Sequence, residues 1–159
     1  MESPLLAFAL ATIAIFRSQL DAQAIDGDTL RTAGEEIHLL GIDAPELHQS
    51  CRRSDGSAFF CGQEAARALA IIVAGGVNCE PTDRGNQAIC RDRTGRDIGL
   101  FLARSGSATA NDPNSDYGTA ERLARTERIG IWEGSFLHPR IWRERTSSNP
   151  PILVDKERE

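Results

Sequence analysis

The sequence predicts an α+β fold, mainly β: a small barrel of five short strands carrying three helices. Apolar runs of strand length open the globular part, and a helix-periodic segment interrupts them. Two further strand candidates and two more helical segments follow. Short strands with a helix inserted after the third give the element order of a closed or partly closed barrel of OB type. With 159 residues, the chain is long enough for one domain with a real core.

The strand candidates at residues 25–30 and 37–42 are joined by Ala33-Gly34-Glu35, which reads as a hairpin turn. Residues 52–57, "RRSDGS", form a polar loop. In "GQEAARALAIIVAGG", Ala65, Leu69, Ile72 and Val73 recur at helical spacing, and Gly75-Gly76 stop the helix. "VNCEP" and "QAICR" are strands on either side of the tight "TDRGN". Asp97 caps a short helix over "IGLFLARSG" that Gly106 ends, and "YGTAERLARTERIG" is a third, amphipathic helix closed by Gly130. Trp132 and Trp142 mark a C-terminal lid on the core, and residues 146–159 read as a polar, loose tail. The domain is therefore placed at residues 23–145.

Residues 1–22 carry an apolar run, Pro4 to Phe16, that suits a signal-peptide core or a short hydrophobic anchor better than a full span. Glu2 and the lack of a leading Lys or Arg depart from a standard export signal, and a buried N-terminal helix is the alternative. Ala22-Gln23-Ala24 resembles a cleavage site, although cutting after Ala24 would trim the first strand. The four cysteines, Cys51, Cys61, Cys79 and Cys90, agree with export to the periplasm or beyond. They allow three pairings. The local one, Cys51–Cys61 with Cys79–Cys90, closes two polar loops and places the second bridge across paired strands. No CxxC spacing or nearby histidine suits zinc.

A net charge of −5 leaves no general footprint for a polyanion, so attraction to nucleic acid needs a local patch or a bound metal. Against that background "AIDGDTLR" stands out, with Asp26 and Asp28 flanking a glycine in a stretch that otherwise reads as a strand. Side chains two apart in an extended chain point the same way, and like charges side by side are costly unless a cation lies between them. "GIDAPE" supplies Asp43 and Glu46 around Pro45, whose ring fixes the chain as it leaves the next strand. Carboxylates converging from neighbouring strands are hard oxygen ligands, suited to Ca²⁺ or Mg²⁺. Each motif alone also suits an ordinary turn.

In combination, "IDGDTL", "IHLLGIDAPE", "CGQEAARAL" and "YGTAERLARTERIGIWEGSF" resemble the staphylococcal-nuclease (thermonuclease) family, over roughly residues 23–145. The resemblance implies a five-stranded OB barrel with three helices and a calcium-dependent phosphodiesterase acting on single-stranded nucleic acid. It implies one Ca²⁺ held by Asp28, Asp43 and the Ala44 carbonyl, Asp26 supporting the loop, and Glu46 orienting or deprotonating the attacking water. No protein partner is indicated, and the expectation is a monomer that touches a membrane only through an N-terminal anchor.

Two positions depart from the family pattern. His38 stands where the family has an arginine on the phosphate, and histidine lacks that fixed charge and planar fork. The second arginine has Arg84, on the shortened "TDRGN" turn, as its nearest substitute, with Arg96 of "DRTGR" as the alternative. Losing one preorganised donor costs on the order of 10²–10³ in rate. The leading expectation is thus an exported calcium-dependent nuclease with reduced activity. Its alternative is a non-catalytic binding module on the same barrel; members of the resembled family also occur among exopolysaccharide (succinoglycan) genes. A disulfide-stapled structural protein, its acidic motifs mere turns, is a third reading.

Overall fold

The computed structural model describes residues 21–148, so all but the last two residues of the signal or anchor expected at residues 1–22, and most of the expected tail, lie outside the described residues. Its strands are β1 (Ala22–Ala24), β2 (Thr29–Thr32), β3 (Glu35–Leu39), β4 (Ile42–Asp43), β5 (Cys51–Arg52), β6 (Ala58–Phe59), β7 (Val77–Pro81), β8 (Gln87–Asp92) and β9 (Thr109–Ala110). Its helices are α1 (Cys61–Val73), α2 (Ile98–Arg104), α3 (Asp116–Glu127) and α4 (Pro139–Ser148), with a 3₁₀ turn at Gly130–Glu133 between the last two.

Five strands form one mixed sheet in the order β1-β2-β3-β8-β7. All neighbours run antiparallel except β3 and β8, which pair parallel with His38 opposite Gln87. Among the described residues no ladder joins the edges β1 and β7; two short ladders, β4·β9 and β5·β6, lie beside the sheet. The core is built from Leu30, Leu39, Ile42, Leu69, Val73, Val77, Ile98 and Leu102, which brings α1 and α2 onto the sheet.

Local chemistry explains where the strands break. Of the strand expected at residues 25–30, only Thr29 and Leu30 are in a strand; residues 25–28 bend between β1 and β2, because Asp26 Oδ1 accepts the backbone N–H groups of Asp28 and Thr29 at 3.0 and 2.7 Å. A side chain that takes two amides in this way diverts them from a ladder. The second expected strand, residues 37–42, is also interrupted. Gly41 turns the chain at φ 85°, and a Cβ there would lie 2.5 Å from the Tyr117 ring. The β2–β3 hairpin closes through Ala33 and Gly34 at φ 51° and 85°, the left-handed pair a two-residue hairpin requires.

The helix count corrects the expectation of three. A fourth, α4, occupies residues read as lid and tail, and it takes in Thr146 and Ser147. It starts on a buried proline, Pro139, whose fixed φ and missing N–H suit a first helical position.

Both local disulfides are present. Cys79 and Cys90 face each other across β7 and β8 with Cα atoms 4.0 Å apart. Cys51–Cys61 joins β5 to the start of α1 and centres a second, smaller core of Ile131, Phe59, Trp132 and Phe136. Two such bridges fit an oxidising compartment. No described helix is long and apolar enough to cross a membrane. The second core anchors the chain leading into α4, so replacing Cys51 and Cys61 by alanine should cost about 2–4 kcal/mol and shift Trp132 emission to longer wavelength. Denaturant titration with fluorescence checks this; an unchanged midpoint would remove the second core from its anchoring role.

Candidate functional site

Two glycines press the acidic motifs together. A Cβ on Gly27 would lie 2.6 Å from Ala44 Cβ and 2.7 Å from Ala65 Cβ, so only glycine lets the Asp26–Asp28 bend sit against both. A Cβ on Gly62, at the start of α1, would lie 1.7 Å from the Glu46 carbonyl oxygen. Helix α1 thus backs both motifs. The bend is fastened to the second motif by one bond, in which the Ala44 N–H donates to Asp28 Oδ2 at 2.7 Å.

The result is an open cleft of about 440 Å³ lined by Asp26, Asp28, His38, Asp43 and Glu46, with Gln87, Asn111, Arg140 and Arg143 completing the polar wall. The carboxylates singled out in the sequence, and His38, therefore share one hollow. Ala44 contributes its amide. Thr29 and His38 pair across β2 and β3. The Thr29 hydroxyl lies 3.1 Å from Asp28 Oδ1 and 2.9 Å from His38 Nδ1. With its single proton given to the carboxylate, the hydroxyl accepts from Nδ1–H, which leaves Nε2 as the outer nitrogen of the ring.

Arg84 and Arg96 do not line this cleft. Arg84 is exposed on the β7–β8 turn. Arg96 is held in the turn after β8, where its guanidinium meets Asp92 Oδ2 at 2.9–3.0 Å and covers the Phe101 ring at 4.1 Å.

Among the described residues the cation that pairs with the carboxylates is Arg143 of α4, which no motif in the sequence singles out. Its Nη1 and Nη2 grip Asp43 Oδ1 and Oδ2 at 2.8 and 3.0 Å, and Nη1 also meets Glu46 Oε1 at 2.6 Å. This fork is the strong form of a charge-assisted bond and holds the guanidinium firmly protonated. Gln49, fully buried, guides α4 there. Its Oε1 accepts the Glu46 N–H at 3.2 Å and its Nε2 donates to the Leu137 carbonyl at 2.6 Å, just before the helix.

Calcium does not fit this arrangement as it stands. Both Asp43 oxygens are engaged by Arg143, Asp28 faces the Ala44 amide and Thr29, and among the described residues no three acidic, histidine or cysteine side chains are gathered to hold a metal ion.

Among the described residues Asp28 has no ion pair, and its burial pushes the carboxyl up to about 7; the Ala44 amide opposes this, while the charges of Asp26 and Asp43 add to it. The unfolded carboxyl titrates near 3.8, so between that pH and about 7 the unfolded chain has released a proton the folded chain keeps. Stability contributed by this group is therefore present below about pH 4 and lost as pH rises through neutrality. Asp28→Asn retains an acceptor for Ala44 and offers the Thr29 oxygen an N–H. It should stabilise the chain at pH 8 by about 2–4 kcal/mol and change little at pH 4. Urea titrations at both pH values, in chelator, test this; parallel pH profiles for the two proteins would show that Asp28 ionises freely.

No family model matches the chain. It is 33% identical over 125 residues to a succinoglycan biosynthesis protein, ExoI, of Rhizobium meliloti (strain 1021). That alignment takes in 74% of this chain and 65% of the relative, so the chain spans just under two thirds of the protein it matches.

Proposed function

We propose that the chain is an exported binding module of exopolysaccharide biosynthesis, built on a staphylococcal-nuclease-like OB barrel whose cleft takes oligosaccharide rather than cutting nucleic acid. The strand order β1-β2-β3-β8-β7 with its one parallel pair supports the barrel, which needs only β1 and β7 to approach for closure. The relative named for succinoglycan biosynthesis supports the pathway.

The observation that carries the binding reading is the charge of the cleft. Four carboxylates, Asp26, Asp28, Asp43 and Glu46, face two guanidiniums, Arg140 and Arg143, and Arg143 is already committed to Asp43 and Glu46. Such a wall repels a phosphodiester backbone. Carboxylates, the amides of Gln87 and Asn111 and the His38 ring suit the mixed donor and acceptor demand of sugar hydroxyls.

A second reading, phosphodiester hydrolysis with Glu46 acting on water and a divalent ion at Asp28 and Asp43, is favoured by the convergence of these side chains with His38 on one cleft. It requires Arg143 to leave.

Calorimetric titration with uncharged oligosaccharide fragments of an exopolysaccharide should give saturable binding, weakened roughly 3–10-fold in Gln87→Ala by loss of one hydrogen bond. Single-stranded DNA with Ca²⁺ should stay intact from pH 6 to 10. Cleavage lost in Glu46→Gln and enhanced on the order of 10²–10³ in His38→Arg, without glycan binding, would replace this reading by the nuclease.

A further inference from the structure

Carboxylates this close, backed by α1 through Gly27 and Gly62, demand a positive charge. The fork on Asp43 fills both of that side chain's oxygens, and the same Nη1 closes on Glu46. Asp43 is nearly covered, with 11% of its side chain exposed, and Glu46 has 34%. The Arg143 side chain remains 45% exposed, at the boundary of the cleft and a neighbouring hollow of about 390 Å³ walled by Leu47, His48 and Trp142.

We propose that Arg143 is the resident cation of this site: it replaces a divalent metal between Asp43 and Glu46, so that the folded chain is metal-independent and a metal ion binds only where Arg143 is removed. The helix that carries it is held by means other than the ion pair. Gln49 grips Leu137, Pro139 is buried, and the second core fixes Ile131 and Phe136 upstream. Arg143 is therefore presented to the carboxylates by a backbone already in place, and an incoming ion must displace a tethered competitor. The nearby Arg140 does not duplicate it, since it pairs along its own helix with Glu144 at 4.0 Å. The inference concerns the cation alone and does not depend on which ligand the cleft takes.

The test uses the purified full chain, stripped with chelator, with thermal unfolding and calorimetry in CaCl₂. The unchanged protein should show no calorimetric binding, and its Tm should move by less than about 1 °C in millimolar Ca²⁺. Arg143→Gln should unfold several degrees lower in chelator, and Ca²⁺ should recover about 3 °C or more, with saturable binding. Arg143→Lys keeps a tethered charge without the fork and should still exclude Ca²⁺. Should Arg143→Gln fail to fold in chelator, folding restored by Ca²⁺ supports the proposal, and a chain that stays unfolded in Ca²⁺ overturns it. Tight Ca²⁺ binding by the unchanged protein, or a folded Arg143→Gln indifferent to Ca²⁺, also overturns it.

Discussion

Four carboxylates on one wall of a small domain set the central constraint, because their repulsion must be offset before the wall can pack. The chain meets it with a guanidinium from its last described helix rather than from the strands that carry the acids. Much of the C-terminal architecture follows from this. The Cys51–Cys61 bridge holds Ile131 and Phe136, the buried Gln49 holds Leu137, and α4 then begins where Arg143 reaches the cleft. A loop, a disulfide core and a helix thus act together to deliver one side chain.

Asp28 and Asp92 show how differently two carboxylates fare. Asp92 accepts from the Thr94 hydroxyl and amide, the Arg96 amide and the Arg96 guanidinium, and is held down to about 2. Asp28 has one amide and one hydroxyl and sits beside two more acids, which leaves it far above the ordinary range. The first arrangement is a rigid turn whose polar groups are satisfied. The second is a poised group at the mouth of a cleft, of the kind that gathers at binding and reacting sites. Arg96 belongs to the first, and its stacking on Phe101 leaves it a structural part of that turn.

The acidic cluster was legible in the sequence because its determinants are local. Asp26 and Asp28 flank one glycine, Asp43 and Glu46 sit around Pro45, which fixes the strand exit, and Gly27 permits the close approach of the two motifs. The disulfide partners were legible for the same reason, each closing a short loop. Helices α1, α2 and α3 announced themselves through apolar spacing and, for α2, through the cap at Asp97. What could not be read was long-range. Arg143 lies 100 residues from Asp43, in a segment with few apolar positions and four charged ones among Arg140, Arg143, Glu144 and Arg145, so neither periodicity nor motif marked it. The breaks at residues 25–28 and at Gly41 also escaped, because they answer to a side chain capturing amides and to the Tyr117 ring rather than to apolar alternation.

A double-mutant cycle between Asp43→Asn and Arg143→Gln, read by denaturant unfolding in chelator at pH 7, tests the pairing on which this reading of the cleft rests. A partly covered, bidentate charge pair should give a coupling of about 1–2 kcal/mol. Additivity of the two substitutions within about 0.3 kcal/mol would contradict it, and would mean that the guanidinium lies over the carboxylates without holding them.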